Sequence, residues 1–543
     1  MIRIEEISLG PDDDRSNLPK AVMRILGIEL NQLISWEIQN RAIDSRRKNS
    51  VQIVYSIDVT VAKEDSLLAD LAIAGERDDK IAELIVRHRV RKVIPFVYPI
   101  EQFERTPGML RPIVVGTGPC GLFAALLLAK SGLCPIVLER GQKVEERVAD
   151  VDRFFATGKL NPTSNVQFGE GGAGTFSDGK LYTLVNDPRS RFIFEEFVRA
   201  GAPPEILYDA KPHIGTDKLR GVVRNIRKTI LQLGGEFKFN TALTDIRVKD
   251  SGIKSALLSN GDEVPVSHLV LAIGHSARDT FEMLFHKGLN LEQKALAMGV
   301  RIEHHREAID AWQYGKQAGL PSLGAAKYKM AVHLPGGRTA YTFCMCPGGF
   351  VVAAASEPHM LVTNGMSEYN QANFNSNAAL LVNVTPRDFG NPHPLAGIAF
   401  QRLWEKKAYS LGGGGYVAPV QLVGDFMANR RTEKLLSVKP TYKPGIKPAH
   451  LAQCLPAFIY KNLQDALPHF DQKIKGFAHP EALLTAIESR SSSPVRIKRD
   501  DNFQSNITGI FPAGEGAGYA GGIVSSALDG LKAAESVIKS IFA

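Results

Sequence analysis

One stretch constrains the fold of this 543-residue chain more than any other. Residues 111–141 read RPIVVGTGPCGLFAALLLAKSGLCPIVLERG. An apolar strand at 113–115 runs into the turn Gly116-Thr117-Gly118-Pro119-Cys120-Gly121. An apolar helix over 122–130 follows, closed by Ser131-Gly132, and a second strand at 135–138 ends on Glu139. That order is a βα unit of a parallel sheet with a dinucleotide site at its turn. Gly116 allows the tight turn, Gly118 lets main chain approach a pyrophosphate, and Gly121 lets helix and strand pack closely. The helix N-terminus presents free N–H groups and the positive dipole end to the phosphates. Glu139, 23 positions after Gly116, accepts from ribose hydroxyls and speaks against a 2′-phosphate. Pro119 and Arg140 join the expected cofactor set.

Composition narrows the class. Apolar residues make up 44% and charged residues 22%, as in a globular chain rather than a disordered or fibrous one. The net charge of +8 is thin over this length and favours anionic ligands only locally. Five cysteines without CxxC spacing point to a reducing compartment. The first residues have no apolar signal core, and no run reaches the roughly 20 apolar residues of a membrane span. A cytoplasmic protein without a membrane or metal partner is expected.

Three parts are expected along the chain. Residues 1–105 read as a small α+β module, ferredoxin-like in its alternation of strands (IRIEEISL, VQIVYSIDVTV, KVIPFVYPI) and helices (LPKAVMRILGI, KIAELIVRHRV). Residues 103–110, FERTPGML, read as a linker. Residues 106–280 and 506–543 form the nucleotide-binding domain, and 281–505 an inserted β-rich substrate domain.

The choice of dinucleotide turns on the C-terminal end. ITGIFPAGEGAGYAGGIVSSALDGLKAAE gives a short strand, the turn Gly514-Glu515-Gly516, and Gly521-Gly522-Ile523 opening an apolar helix. FKFNTALTDIRV, IKSALLSNG and HLVLAIG give three further strands, and residues 169–180 (GEGGAGTFSDGK) a glycine-rich loop. With VVGTGPCGLFAALLLAKSG, LAIGHSARDT and TFCMCPGG, residues 111–543 resemble a bacterial group of FAD-dependent dehydrogenases in the glutathione-reductase-type superfamily. The resemblance implies an α/β, Rossmann-like FAD-binding domain and the cofactor FAD. It implies a ribityl role for Glu515 after Gly514. It also implies backbone contacts from Gly522 and Ile523 to the flavin N1–O2 edge, where a helix N-terminus stabilises the negative charge of the reduced ring. Leu243 would meet the adenine, Gly274 would close the cofactor strand, and Gly174, Thr175, Ser177 and Lys180 would lie beside the ring.

Two features depart from the disulfide reductases of that superfamily. No cysteine pair follows the first fingerprint, and no second nucleotide fingerprint exists. The glycine run 411–416 lacks a leading strand and reads as a loop. Electrons would then pass between a small-molecule substrate and FAD, with NAD(P)H or another acceptor binding transiently. Candidate catalytic residues are His275, as base or substrate ligand, and Cys344 with Cys346, a CxC placing both thiols on one strand face. The alternative for the cysteines is two small residues lining the pocket. Arg301 is a candidate ligand for a substrate carboxylate in a strand with Glu303, His304 and His305; Glu357 and His359 are weaker candidates.

Two other functions compete. The basic segments DSRRKNS and RHRVRK could bind or modify RNA, yet the module carries 16 basic and 18 acidic residues, a net of −2, and charge runs are usually solvated faces. Nucleic acid is therefore not the expected partner. The remaining alternative is a non-catalytic flavin-bound scaffold.

Overall fold

The computed structural model describes residues 1–48, 50–74 and 80–542. Asn49 of the basic segment and Ala543 at the end of the expected cofactor domain lie outside the described residues. Two compact units are present: residues 1–98, 203–212 and 307–326, and residues 99–202, 213–306 and 327–543. Apart from residues 203–212 and 307–326, which belong to the first unit, the stretches read as cofactor domain and inserted domain fall in the second unit.

In the first unit, β1 (Ile2–Leu9), α1 (Asn17–Leu26), β2 (Leu33–Asp44), β3 (Gln52–Val61), α2 (Glu64–Ala74), α3 (Lys80–Arg87) and β4 (Arg91–Lys92) follow in order. The sheet order is β2-β3-β1-β4, every pair antiparallel. β3 buries Ile53, Tyr55, Ile57, Val59 and Val61, the period-two stripe of a strand with one face on the core. α1 buries Leu18, Val22, Ile25 and Leu26, and Gly27 ends it at φ +65.

Two expectations differ here. β2 carries no apolar alternation because it is mostly half-exposed and is held by main-chain pairing, with β3 along its length and with residues 208–210 at Arg41. The expected strand KVIPFVYPI shrinks to Arg91–Lys92, since Pro95 and Pro99 cannot donate to a ladder. The basic residues are largely paired within the unit. Arg41 bonds Asp209 at 3.2 Å and the Ser322 carbonyl, Arg91 bonds Glu5 at 2.8 Å, and Lys92 bonds Asp65 at 2.8 Å. Arg46 folds back on Asp44.

The second unit is built on a parallel sheet of β5 (Ile113–Val115), β6 (Ile136–Leu138), β7 (Glu236–Lys238), β11 (Leu269–Leu271) and the strand Ile510–Pro512. The last strand lies beside β11, which pairs β5, then β6, then β7. α4 (Pro119–Lys130) is buried from Cys120 to Ala129, which explains its unbroken apolar run: it has no solvent face. β8 (Leu243–Lys249), β9 (Gly252–Leu258) and β10 (Glu263–Pro265) form an antiparallel meander.

A seven-stranded sheet carries the rest. Its centre is Leu296–His305 paired with Asn375–Val384 over ten residues, both almost wholly buried. Thr339–Cys346 lies on one side and Leu483–Glu488 on the other. The glycine run at 411–416 is not wholly a loop: its first two residues finish the helix Ala396–Gly412, and Gly413 caps it at φ +94. Among the described residues no helix is long and apolar enough to cross a membrane, and no group of three or more His, Cys, Asp or Glu side chains could hold a metal.

Candidate active site

The site lies at the carboxyl ends of the parallel strands, where open α/β sheets bind ligands. β5 ends in Gly116, whose φ is +99; a Cβ there would lie 2.4 Å from the Ala272 carbonyl oxygen. Gly118 caps α4, and Pro119 takes the first helical position, where no N–H is needed. A Cβ on Gly121 would lie 1.9 Å from the Gly116 carbonyl oxygen, so this glycine serves packing and lies outside the cleft wall. A Cβ on Gly172 would lie 2.9 Å from the Gly118 Cα. The glycine-rich loop therefore presses its bare main chain onto the phosphate turn.

Glu139 is buried and fully engaged. Its Oε2 accepts from the Thr117 N–H at 3.0 Å and the Thr117 hydroxyl at 2.5 Å. Its Oε1 accepts from the N–H groups of Gly141 at 2.9 Å and Gly169 at 3.0 Å. A ribose hydroxyl would compete with the Thr117 hydroxyl. Arg140 also lines the cleft, held by Asp279 at 3.1 Å and Thr280 at 2.9 Å.

Sequence reasoning missed the residue that shapes the glycine-rich loop. Arg147 is fully buried and donates to four main-chain carbonyls, those of Asn165, Val166, Gly169 and Glu170. Burial pulls its pKa down to about 10, which leaves it charged at neutral pH. Glu170 accepts from the Val144 N–H at 2.8 Å and pairs with Arg227 at 3.2 Å. Burial raises its pKa to about 7. The signal was there in Arg147 on a helix just before a glycine run, but the spacing names no partner.

Leu243, Gly274, His275, Glu515, Gly522 and Ile523 share the cleft wall with Gly116, Gly118 and Pro119. Gly514 lies just behind it; its N–H donates to Asp529 at 2.6 Å. His275 Nδ1 lies 3.2 Å from Glu515 Oε1, and among the described residues its buried Nε2 has no partner. Gly174 sits against Ile523, where a Cβ would find the Ile523 side chain at 3.3 Å. Ser177 and Lys180 also face the cleft, but Thr175 does not. Its hydroxyl donates to the Glu170 carbonyl and its carbonyl accepts from Thr216, because the loop coils into a 3-10 turn there.

The remaining wall is made by Lys180, Tyr328, Cys344, Asn364, Glu488 and Arg490. Lys180 pairs with the buried Asp178 at 3.1 Å, and that carboxylate raises its pKa against the effect of burial. Cys344 lines the cleft, whereas Cys346 is buried behind it. The pair does not follow simple alternation: the strand register breaks between Phe343 and Cys346, and Cys344 sits at φ +42. Arg301 is not free for a substrate carboxylate. It is wholly buried, bonds Glu488 at 2.6 Å and 3.2 Å, and donates to the Cys344 carbonyl, Asn377 and Asn364. Glu303 accepts from Asn375 and Thr441, and His304 bonds the Phe477 carbonyl. His305 points to Ser437. Glu357 is held by Arg278 and Arg402, and His359 by Tyr409; neither lines the cleft.

The cleft fits a flavin dinucleotide: side-chain-free main chain faces the turn before α4, a buried acid follows the second strand, and an imidazole nitrogen in the wall has no partner among the described residues. Comparison with known proteins agrees. The family model "FAD-dependent protein, C-terminal domain-like" matches residues 295–491, and a domain family of unknown function, DUF8436, matches residues 1–60. An uncharacterized protein of Clostridium beijerinckii is 46% identical over 540 residues, covering 99% of this chain and 98% of that protein. The chain belongs to the same family as that clostridial protein. Its cofactor is FAD.

Similar solved structures include the flavin-dependent brominase Bmp2, with a TM-score of 0.36 and 13% identity over 80% of this chain and 79% of that one. L-proline dehydrogenase from P. horikoshii gives a TM-score of 0.33 and 10% identity over 80% and 95%. Likeness at that level does not establish a shared fold.

Proposed function

We propose that this family member is an FAD-dependent oxidoreductase of the dehydrogenase kind, moving a hydride between a small-molecule substrate and FAD. The observation that carries this reading is one continuous cleft. Its wall joins the phosphate turn at Gly116–Pro119 to a polar chamber holding His275, Lys180, Tyr328 and Cys344. A scaffold that merely stored a flavin would need no such chamber.

FAD, when bound, supplies a ring that takes up or releases two electrons with a proton. The chain's own residues do the rest. Main-chain N–H groups at the start of α4 hold the diphosphate, with the Gly172 backbone closing over it. Glu139 takes the adenosine ribose, Leu243 supports the adenine, Arg140 flanks them, and Glu515 takes the ribityl chain. Gly522 and Ile523, at the start of the C-terminal helix, direct a positive dipole end to the ring. Gly174, Ser177, Lys180 and Gly274 line the ring's surroundings. His275, oriented through Nδ1 by Glu515, offers Nε2 as the proton acceptor or donor for a substrate hydroxyl or amine. The stretch 281–505 acts as the substrate domain, since Tyr328, Cys344, Asn364 and Glu488 come from it. A nicotinamide or another acceptor visits transiently.

The test is an anaerobic screen of the purified yellow protein against candidate alcohols, amines, thiols and NAD(P)H, followed by flavin absorbance. At least one donor class should bleach the flavin within seconds to minutes. A flavin that dithionite reduces but none of these donors bleaches would sink the oxidoreductase reading in favour of a scaffold.

A further inference from the structure

We propose that Cys344 and Cys346 form a redox-active dithiol that takes low-molecular-weight disulfides as substrate, Cys344 attacking and Cys346 resolving. The proposal names a substrate class for the cleft and rests on the flavin reading for the return of electrons. Its thiol step stands on the cysteines alone.

Placement divides the two roles. Cys344 lines the cleft and is partly exposed, while Cys346 is fully buried behind it. An attacking thiol must meet substrate, and a resolving thiol must be shielded from it. The Cys346 thiol donates to the Cys344 carbonyl oxygen at 3.3 Å. A regular strand separates residues i and i+2 by nearly two rises; the break in register and the φ of +42 at Cys344 let the Cys346 thiol turn back onto residue 344. A non-glycine residue at positive φ costs free energy, and such strain collects at working sites.

The charge around the pair is mixed but ordered. Lys180 Nζ lies 3.9 Å from Cys346 Sγ, and Arg301 donates to the Cys344 carbonyl at 2.9 Å. Asp178, Tyr182, Tyr328 and Glu488 are the other titratable groups facing them among the described residues. The hydrogen bond from Cys346, with Lys180 and Arg301, holds the Cys344 thiol well below its ordinary pKa, while burial pushes Cys346 well above. That is the asymmetry an attacking and resolving pair needs.

The step balances as follows. The Cys344 thiolate attacks one sulfur of a disulfide RSSR; a Cys344–SR bond forms, and RS⁻ leaves. Cys346 gives up its proton to that RS⁻ and attacks the Cys344 sulfur; the Cys344–Cys346 bond forms, and the second RS⁻ leaves. RSSR is reduced by two electrons to RSH and RS⁻, and the dithiol is oxidised to the disulfide. Restoring the pair takes two electrons and one proton, which reduced FAD, held by the cleft residues named above, would supply.

The test is mass spectrometry with oxidised glutathione as the probe, on the flavin-loaded and the flavin-stripped protein. Wild type should lose two of its five thiols and keep no adduct. Cys346→Ser, or Cys346→Ala where serine unfolds the protein, should trap one glutathione on Cys344. At pH 7 the thiol loss of the wild type, which keeps the Cys346 hydrogen bond, should run roughly tenfold faster than reaction of a free cysteine. Cys344→Ser should be inert. An adduct on Cys120, Cys134 or Cys454 in place of Cys344, or thiol loss from Cys344→Ser at the wild-type rate, overturns the proposal. The flavin-stripped arm reads the thiols without the cofactor, so a failed flavin reading would leave this result intact.

Discussion

The tightest polar knot in the cleft is Glu139, and it makes a prediction that separates folding from cofactor binding. Its two oxygens accept four hydrogen bonds, three from main-chain N–H groups and one from the Thr117 hydroxyl. In Glu139→Gln one oxygen becomes an amide nitrogen. Turned toward Gly141 and Gly169, that nitrogen strands two buried N–H donors. Turned toward Thr117, it strands one, because the hydroxyl can accept instead. The second arrangement wins, and an unsatisfied buried donor costs about 1–3 kcal/mol. Losing the charge on the remaining bonds adds about 1 kcal/mol. The flavin-free variant should therefore be destabilised by about 3 kcal/mol. Thr117→Ala removes only the hydroxyl bond, costs about 1 kcal/mol, and frees an Oε2 position for a ribose hydroxyl.

Urea unfolding of the stripped proteins reads the first quantity, and fluorescence titration with FAD the second. Glu139→Gln should bind FAD at least tenfold more weakly, whereas Thr117→Ala should bind it as tightly as wild type or better. If Thr117→Ala lost FAD as severely as Glu139→Gln, the ribose assignment of Glu139 would fall. A Glu139→Gln midpoint equal to wild type would refute the hydrogen-bond reasoning.

Gly172→Val places a side chain on a residue at φ +61 whose Cβ would lie 2.9 Å from the Gly118 Cα. The protein should purify with little flavin, read as the ratio of absorbance at the visible flavin band to that of the protein. His275→Gln should stay yellow yet be reduced by its donor about 10²–10⁴-fold more slowly, the usual contribution of a positioned acid–base; stopped-flow bleaching at the wild-type rate would refute the role. Glu170 has a pKa of about 7, raised by burial from 4.5, so its contribution to stability is complete below pH 4.5 and is lost as pH rises through 7. The shift corresponds to roughly 3 kcal/mol, and Glu170→Gln should flatten that part of the stability–pH curve in thermal unfolding between pH 5 and 8. Arg301→Met leaves Glu488 buried without its cation and should cost about 3–5 kcal/mol, seen as a sharp fall in Tm.

The nucleotide end of the cleft was legible because its determinants are local. Gly116, Gly118, Gly121 and Glu139 lie within one βα unit, and Gly116 and Gly121 meet obstacles fixed by that unit or by the end of the neighbouring strand. A periodic pattern and a spacing are enough to read such a site. The same locality made β3 and α1 readable. β2 was invisible because a half-exposed strand held by main-chain pairing needs no apolar stripe, and KVIPFVYPI misled because apolar β-branched residues outweigh two prolines in any propensity sum.

The chemistry end is assembled from across the chain, and there the side chain alone misleads. Arg301 and Lys180 both read in the sequence as cations available to a ligand, one for a substrate carboxylate and one beside the flavin ring. Arg301 is consumed by Glu488, Asn364, Asn377 and a carbonyl, contributed by strands far apart in the chain. Lys180 has a single carboxylate partner and still lines the cleft. The difference is decided by pairings that no local pattern encodes. The two cysteines show the same point from the other side: strand periodicity places them on one face, yet one broken register turns them into an exposed and a buried thiol. A cation or thiol in such a chain becomes available for chemistry only where tertiary structure leaves part of its bonding capacity unspent. In this cleft those groups include His275 Nε2, the Tyr328 hydroxyl and the Cys344 sulfur, which is why reactivity here should track these three rather than the more numerous buried charges around them.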